Sequence, residues 1–176
     1  MSRQTSMAAA FLLCALCALS IVAGRPVAEK EVTTGRSLLQ AGYLANSQCP
    51  DAGELLFQTN VARAYYGAAP LAWNADMAAR AQAWANGCSG QHSYMGYGEN
   101  IYITYGAPSC SSAMTGWFWN EASHYNYNQP GFQLATGHFT QLVWAGTTQM
   151  GCGIATCPIE AYPSGNKPNQ PWQFVV

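Results

Sequence analysis

Two histidines and two glutamates stand out in a chain in which only 9% of the residues are charged. His92 and Glu99 lie in one polar, glycine-containing stretch, SGQHSYMGYGEN, and His138 begins the apolar stretch HFTQLVW. Glu121 ends the segment MTGWFWNE, where helical spacing places it on the same face as the methionine and two of the aromatic residues. A carboxylate on such a face must be hydrogen-bonded or bound, because an unpaired buried charge is costly. The four side chains therefore indicate a polar cleft or a shared metal site.

Each of these residues also has an ordinary structural interpretation. A single histidine is more often structural than a ligand, Glu121 could reach solvent at a helix edge, and Glu99 could begin a strand. The spacing of His92 and His138 is not that of a His-Glu-x-x-His zinc motif. The sequence contains no Gly-x-Ser-x-Gly turn, phosphate-binding loop or Cys/His/Asn protease pattern, which excludes the commonest hydrolases.

An apolar run near the amino terminus predicts export of the protein. Arg3 precedes MAAAFLLCALCALSIVAG, residues 7–24, and the small residues at its end are typical of a signal-peptidase site. The run is also just long enough for a membrane helix, so a signal anchor is the alternative. We expect a signal peptide at 1–24, a disordered pro-segment or spacer at 25–47, and one folded domain at 48–176. The protein is thus expected to be extracellular, with no stable membrane insertion after cleavage.

The charge of the predicted domain argues against nucleic acid as a partner. Its acidic residues outnumber its basic ones, with Asp51, Glu54, Asp76, Glu99, Glu121 and Glu160 against Arg63, Arg80 and Lys167. Nucleic-acid-binding domains present a concentrated positive surface, which this composition does not supply. We also expect the domain to be monomeric.

Local patterns predict both helices and strands. Helices are expected at 50–66, at 74–87 with Asn74 as the N-cap, and from about Ser111 or Ser112 to Ser123. The apolar face of the second helix is expected to consist of Met77, Ala81, Trp84 and Ala85. Strands are expected in GENIYIT, QMGCGIATC and PWQFVV. Loosely interleaved elements of this kind predict an α+β fold, a three-layer α-β-α sandwich with a small antiparallel sheet between helices.

The stretch GHFTQLVW, residues 137–144, resembles the motif of the superfamily of cysteine-rich secretory proteins, antigen five and plant pathogenesis-related class 1 proteins, the CAP superfamily. The similarity continues in the same order over APLAWNADMAARAQAWAN, HSYMGYGENIY, WFWNEASHYNYN and MGCGIATC, and covers about residues 55–176. One departure lies in the first helix, where Thr59 stands at a position that is commonly histidine in the family. We expect only a local change in packing there.

The resemblance implies that His92, Glu99, Glu121 and His138 form the tetrad of a central cleft. In some family members the two histidines bind a divalent metal such as zinc, so His92 and His138 are the candidate metal ligands. Two protein ligands imply an open and weak site, and no cofactor is expected to be obligatory.

Of the seven cysteines, two lie in the predicted signal peptide, and disulfides are expected among the others. The resemblance implies a bridge between Cys88 and Cys157. Cys49 and Cys110 lack a clear family counterpart, and we pair them with each other. In the family the partner of the Cys152 position follows a strand like WQFVV, so Cys152 is expected to be unpaired here. The domain is accordingly expected to lack its last segment, through a truncated gene model or as a short variant.

The resemblance favours a secreted binding protein. CAP domains are associated with binding sterols or fatty acids and with defence against microbes. We therefore expect a non-catalytic binder of sterols or other lipids with a defence-like extracellular role. The alternatives are a metal-dependent hydrolase that uses Glu99 or Glu121 as a base beside a histidine-bound ion, and an extracellular signalling or matrix protein.

Overall fold

The computed structural model of the protein describes residue 44 and residues 46–176. The predicted signal peptide and nearly all of the predicted spacer lie outside these residues. Leu44 packs against the core, and Ser47 Oγ donates a hydrogen bond of 2.5 Å to the carbonyl of Cys152. The last residues of the predicted spacer therefore contact the folded domain. Within this described part, no helix has the length and apolar character needed to cross a membrane.

The described chain contains three α-helices, five short strands and several shorter helical segments. The α-helices are α1 (Ala52–Tyr65), α2 (Ala75–Asn86) and α3 (Gly137–Leu142). The strands are β1 (Ala72–Trp73), β2 (Tyr102–Tyr105), β3 (Gln149–Met150), β4 (Ile154–Cys157) and β5 (Trp172–Val175). Shorter helical segments are a π-helix at Thr115–Trp119 and 3-10 helices at Ser111–Ala113, Ala122–His124, Leu134–Thr136 and Ile159–Ala161.

The central sheet has three antiparallel strands, with β5 between β2 and β4. Val175 of β5 pairs with Tyr102 of β2 and with Ile154 of β4. Gly153 and Val176 extend the ladder of β4 and β5 by a reciprocal pair of backbone hydrogen bonds, each 3.0 Å long. A separate pair of two-residue strands, β1 and β3, runs parallel.

Strand β5 is buried along its whole length, and its side chains alternate between two hydrophobic clusters. Trp172 and Phe174 pack on one face with Ala85 of α2. Val175 belongs to the cluster on the other face, which contains Leu55 of α1. A strand with two buried faces needs a layer on each side, and among the described residues α1 contributes to one of these layers and α2 to the other. The predicted three-layer α-β-α sandwich is confirmed.

The start of α2 agrees with the sequence prediction. The Asn74 side chain accepts hydrogen bonds from the backbone N–H groups of Asp76, at 2.9 Å, and Met77, at 3.0 Å. These two donors have no carbonyl partner within the helix, so Asn74 satisfies them as an N-cap.

The buried face of α2 differs from the predicted one, which was Met77, Ala81, Trp84 and Ala85. The buried residues are Ala78, Gln82 and Ala85, so the face is turned by one residue. Gln82 is polar, but its amide donates to the carbonyl of Ile154 at 2.7 Å and accepts from the Ile154 N–H at 3.2 Å. The hydrogen bonds to a sheet edge make burial of this glutamine favourable, and apolar periodicity alone does not reveal them.

The predicted third helix, from Ser111 or Ser112 to Ser123, is wrong as a regular α-helix. Its centre is the π-helix, where the N–H of Asn120 bonds to the carbonyl of Thr115 at 3.0 Å, five residues back. Gly116 lies against the ring of Tyr102, which comes within 2.8 Å of the place where a Cβ would be. Trp117 donates its indole N–H to the carbonyl of Ile101 at 2.9 Å. We attribute the wide turn to these contacts with the β2 region, which override the local helical spacing.

Two predicted strands are also shorter than their sequence patterns. GENIYIT contributes only its last residues to β2, which begins at Tyr102. QMGCGIATC divides into β3 and β4 at Gly151 and Gly153, whose backbones touch the backbone of α2 so closely that a Cβ at either position would clash. The close approach of strand to helix bends the chain between the two strands.

Candidate functional site

His92 and Glu99 form one half of the site, in the connection between α2 and β2. His92 Nδ1 lies 2.8 Å from Glu99 Oε1, and the Ser93 backbone N–H donates to the same oxygen at 2.9 Å. Ser93 Oγ makes a short hydrogen bond to Glu99 Oε2. The carboxylate of Glu99 thus holds the loop that carries the histidine.

Glycine at position 98 allows this half to approach α3. A Cβ at Gly98 would overlap the side-chain amide of Gln141. Because glycine has no side chain, the backbone next to Glu99 can lie directly against α3. The Gly-Glu pair, which is a weak signal in the sequence, therefore has a structural reason.

Glu121 and His138 form the other half. His138 Nδ1 lies 2.6 Å from Glu121 Oε1, and the Phe139 backbone N–H donates to Glu121 Oε2 at 2.9 Å. Glu121 follows the π-helix, and His138 lies in the first turn of α3. The carboxylate accepts one hydrogen bond on each oxygen, so it fixes both the imidazole and the start of the helix.

An aromatic cluster lies beneath His138 and holds α3 in place. The buried ring of Phe139 packs edge-on against Tyr66, with ring centroids 5.0 Å apart, and against Tyr125 at 5.3 Å. It also contacts Phe118 of the π-helix at 6.1 Å. Aromatic contacts of this kind orient the helix, so His138 stands on a rigid base.

The two halves border one cleft, which we call the tetrad cleft. It has a volume of about 380 Å³ and is lined by His92, Glu99 and His138, with Phe132, Leu134 and Trp144 at its apolar side. The carboxylate side chains of Glu99 and Glu121 are 16% and 14% exposed, whereas the imidazoles are 43% and 37% exposed. The carboxylates therefore lie behind the histidines, and the imidazoles are the groups that a solute meets first.

A second cavity of about 380 Å³, the α2 cavity, lies between α2, the loop 93–100 and strand β3. Its lining is mainly apolar and includes Met77, Ala81, Met95, Trp117, Leu142 and Met150. Glu99, Asn100 and Gln141 border both the α2 cavity and the tetrad cleft. These three residues are therefore a wall common to the two spaces.

The orientation of the two histidines determines which of their ring nitrogens is free to bind a metal ion. Each imidazole places Nδ1 against a carboxylate, which favours the tautomer with hydrogen on Nδ1 and leaves the lone pair on Nε2. The four tetrad residues do not converge into a closed site. Among the described residues, one group of three potential metal ligands has all of its ligand atoms within 4.8 Å of one another. That group is Cys49, Cys110 and Cys152, and it contains no tetrad residue. The tetrad can thus offer two imidazole nitrogens with carboxylates behind them, but not a closed metal cage.

Two disulfides cross the domain, and both join the cysteines that the sequence analysis pairs. Cys88, just after α2, is bonded to Cys157 at the end of β4, and Cys49, before α1, is bonded to Cys110. Cys152 is buried and unpaired within the described part. Burial raises the pKa of the Cys152 thiol far above its ordinary value, and the nearby charge of Asp51 adds to this effect.

The structure also reveals Arg63, which the sequence analysis did not select. This arginine of α1 is fully buried, and it donates to the carbonyls of Ala69 at 2.7 Å, Leu142 at 2.9 Å, Trp144 at 3.0 Å and Thr147 at 2.9 Å. Burial lowers the pKa of its guanidinium. Three of its acceptors are in or just after α3, so Arg63 anchors the helix that carries His138. The sequence feature that could have pointed to Arg63 is its helical spacing. It follows Thr59 by four residues and Leu55 by eight, and both of these residues are buried.

Asp51 is a second residue that the sequence analysis did not select, beyond counting it among the acidic residues of the domain. Its carboxylate accepts from the backbone N–H groups of Cys110, at 2.7 Å, and Ser111, at 3.1 Å. It also accepts from the hydroxyls of Ser109, at 2.7 Å, and Ser111, at 2.6 Å. Burial opposes ionisation, but the hydrogen bonds outweigh it and lower the pKa of Asp51 below its ordinary value. Asp51 therefore fastens the segment around Cys110 to the start of α1.

The fold of the chain is similar to that of solved structures. It resembles the crystal structure of MpPR-1i with a TM-score of 0.52, covering 72% of this chain and 84% of that one, at 20% identity. It resembles the structure of BmVAL-1 with a TM-score of 0.54, covering 73% and 78%, also at 20% identity. At such low identity the likeness establishes the shared fold.

The chain also matches the model of the CAP, or cysteine-rich secretory protein, family over residues 56–166. It therefore belongs to the CAP family. The family resemblance seen in the sequence is confirmed.

Relatives occur in fungi and animals. The chain is 42% identical to Protein PRY2 of Saccharomyces cerevisiae over 91 residues, which are 49% of this chain and 26% of PRY2. It is 34% identical to Fruiting body protein SC7 of Schizophyllum commune over 136 residues, 74% of this chain and 64% of SC7. It is 38% identical to human Cysteine-rich secretory protein 2 over 97 residues, 50% of this chain and 40% of that protein. The chain thus spans less than two thirds of the length of these relatives.

Proposed function

We propose that the protein is a secreted, non-catalytic binder of sterols or other lipids, and that the ligand occupies the α2 cavity. The observation that carries the proposal is the mainly apolar lining of this cavity, to which α2, the loop 93–100, α3 and β3 all contribute. Its volume of about 380 Å³ lies within the range of about 300–1,000 Å³ typical of small-ligand sites. An apolar ligand of modest size gains free energy there by leaving water.

The composition of the lining supports a flexible, apolar recognition mode. Met77, Met95 and Met150 approach from three different elements. Methionine side chains are unbranched and polarizable, so they adapt to ligands of irregular shape. Glu99, Asn100 and Gln141 form the polar end of the cavity, where a hydroxyl or head group of an amphiphilic lipid finds hydrogen-bond partners.

The tetrad geometry supports binding rather than catalysis. Glu99 accepts hydrogen bonds from His92 and from two donors of Ser93, and both oxygens of Glu121 are engaged by His138 and Phe139. A general base must be able to accept a proton from a substrate or water. The bond from each histidine to its carboxylate gives the two glutamates a positioning role, which favours binding over their use as a base.

We also propose that His92 and His138 bind a divalent ion such as zinc weakly through Nε2. The carboxylate at each Nδ1 is the arrangement that orients histidine ligands in metal sites. A bound ion would supply positive charge at the mouth of the tetrad cleft. The carboxylates of Glu99 and Glu121 would fix the orientation of its two ligands.

Secretion and a defence-like extracellular role complete the proposal. Two disulfides in a domain of this size support folding in an oxidising compartment. Membership of the cysteine-rich secretory protein family supports the same location. The defence-like role is supported by the family resemblance.

The test of the lipid proposal is mass spectrometry of an organic extract of the purified secreted protein, in parent and variant forms. Ala81→Trp places an indole in the α2 cavity, and the expected result is loss of the co-purifying lipid. Ala64→Trp is the matched control, because Ala64 lies on the exposed side of α1 and does not border the cavity. Thermal unfolding verifies that both variants fold.

Equal lipid content in the two tryptophan variants would contradict the assignment of the ligand to the α2 cavity. Absence of lipid in the parent protein, together with no binding of added sterol or fatty acid, would contradict the proposed function itself. His138→Ala should retain the lipid. Turnover of an ester or peptide substrate that disappears in His138→Ala would support the hydrolase alternative instead.

A further inference from the structure

The described part of the chain exposes large apolar side chains mainly in two places. One is the outer side of α1, with Phe57, Val61 and Tyr65. The other, which we call the apolar rim, consists of Tyr94, Met95, Tyr97, Phe132, Leu134 and Trp144. Two of the rim side chains are almost completely exposed, Tyr94 at 90% and Leu134 at 89%. Exposed apolar side chains that are concentrated in this way mark a surface for interaction rather than for packing within the domain.

The six rim residues belong to one face of the domain. The three from residues 132–144 line the tetrad cleft. Tyr94 packs beside His92 at the same cleft, with ring centroids 6.2 Å apart. The other two line the α2 cavity, which shares a wall with the tetrad cleft. The rim therefore continues from one opening to the other.

The rim lies in two uncharged stretches of the chain. The sequence has no Asp, Glu, Lys or Arg between Arg80 and Glu99, or between Glu121 and Glu160, and all six rim residues fall within these two stretches. The carboxylates of Glu99 and Glu121 lie behind their histidines. A strongly charged partner would find no matching charge on the rim, so an electrically neutral partner fits this face best.

The chemistry of the rim suits the interface of a lipid bilayer. Tyr94, Tyr97 and Trp144 combine an apolar ring with a polar tip, which is the combination enriched where a membrane meets water. Phe132 and Leu134 are wholly apolar. A bilayer is fluid and accepts apolar side chains that project singly, whereas a protein partner must supply a matching pocket for each. A polysaccharide would stack on the aromatic rings but would gain little from an exposed leucine.

We propose that the apolar rim docks reversibly on a membrane of electrically neutral lipids, with the tetrad cleft facing the head groups. Docking buries the projecting side chains at the level of the head groups and needs no spanning segment. The loop 93–100 contributes both to the rim and to the wall of the α2 cavity. The same contact thus brings the cavity next to a source of lipid. Docking itself depends on the rim and not on the ligand proposed for the cavity.

Co-sedimentation of the secreted protein with phosphatidylcholine vesicles tests the proposal. The parent is expected to pellet with the vesicles and to stay bound in about 1 M salt, because salt screens charges and leaves apolar contacts in place. Phe132→Ser is expected to weaken partitioning about tenfold, since it removes one of the apolar side chains that docking buries. Phe57→Ser is the matched control and should pellet as the parent does. Phe57 is exposed to a similar extent, 63% against 69% for Phe132, but it lies on α1 and lines neither cavity.

Fluorescence quenching locates the contact by a measurement that does not depend on affinity. Brominated phosphatidylcholine quenches tryptophans that reach the bilayer, and Trp144 is half-exposed on the rim. Trp144→Phe is therefore expected to lose most of the quenching per bound molecule. Thermal unfolding verifies that each variant folds.

Several results would overturn the docking proposal. These are a parent that does not pellet, equal loss of pelleting in Phe57→Ser and Phe132→Ser, and unchanged quenching in Trp144→Phe. Binding only to anionic vesicles, binding to insoluble polysaccharide in place of vesicles, and pelleting without vesicles by self-association would also contradict it. A parent that carries lipid but does not pellet would refute docking and leave the proposed function standing. A parent that pellets but binds no lipid in the α2 cavity would do the reverse.

Discussion

Replacing Arg63 by methionine removes the one buried cation of the described domain while keeping most of the side-chain volume. The guanidinium makes four hydrogen bonds, all to backbone carbonyls and none to an acid. Hydrogen bonds that involve a charged group contribute about 1.5–3 kcal/mol each, which gives an upper bound of about 6–12 kcal/mol. Desolvation of the buried charge, which costs several kcal/mol, offsets about half of this.

The expected loss for Arg63→Met is therefore about 3–6 kcal/mol of unfolding free energy. Domains of this kind have about 5–15 kcal/mol in total, so the variant should be close to unfolding at ambient temperature. Arg63→Lys keeps the charge but cannot span four carbonyls with one ammonium group, and it should lose about half as much.

Urea unfolding followed by circular dichroism measures these differences. Arg80→Met is the matched control, because Arg80 is exposed on α2, and it should stay within about 0.5 kcal/mol of the parent. The reasoning predicts a large loss because the four carbonyls would be left without a donor. If the free energy of unfolding of Arg63→Met fell by less than about 1 kcal/mol, with the slope of that free energy against urea unchanged, the carbonyls would have found water instead and this prediction would be refuted.

Three further predictions concern the disulfide, the metal and the acid response. Converting both Cys88 and Cys157 to serine opens a loop of sequence separation 69. The chain-entropy model predicts that the free energy of unfolding falls by an amount on the order of 4 kcal/mol in the same urea assay. An unchanged urea midpoint would contradict this prediction. Titration calorimetry should show weak zinc binding that declines in acid, because a metal ion competes with protons for the imidazole nitrogens, and equal affinity in the His92→Ala/His138→Ala double variant would contradict the assignment. The folded-state pKa of Asp51 is lowered, so its stabilisation is present above the unfolded value of 3.8 and is lost as the pH falls through the folded value. Asp51→Asn should therefore be less stable than the parent at neutral pH, with the difference shrinking in acid; a difference that does not depend on pH would contradict the role of the carboxylate.

The parts of the fold that local patterns encode could be predicted from the sequence. Asn74 caps α2 because the cap depends on the next three residues only. The apolar ending WQFVV predicts a strand, and the structure shows it as β5; its central place in the sheet and its burial on both faces were not predicted. Residue types and spacing drew attention to the four tetrad residues, and the family resemblance implied that they form one set. The structure places them in two histidine–carboxylate pairs beside one cleft.

The parts that depend on distant contacts could not be predicted. Gln82 turns the buried face of α2 because its partner is a carbonyl 72 positions away, at Ile154. The π-helix arises where Gly116 meets Tyr102, and the two residues are brought together only by the fold. The contact of Cys152 with Cys49 spans 103 positions. Spacing rules act over a few residues, so they carry no information about such pairs.

The π-helix also bears on how many residues the chain can have before Glu121. A π turn is an α-helical turn with one residue added, so deleting one residue of Thr115–Trp119 would permit a regular α-helix. The turn would then hold one residue fewer over the same rotation, and Glu121 would keep its direction toward His138. A deletion in a regular α-helix would instead turn the following residues by about 100° about the helix axis. The wide turn is therefore a place where the chain tolerates a change of length by one residue, and an alignment gap here does not separate chains with a paired histidine from chains without one.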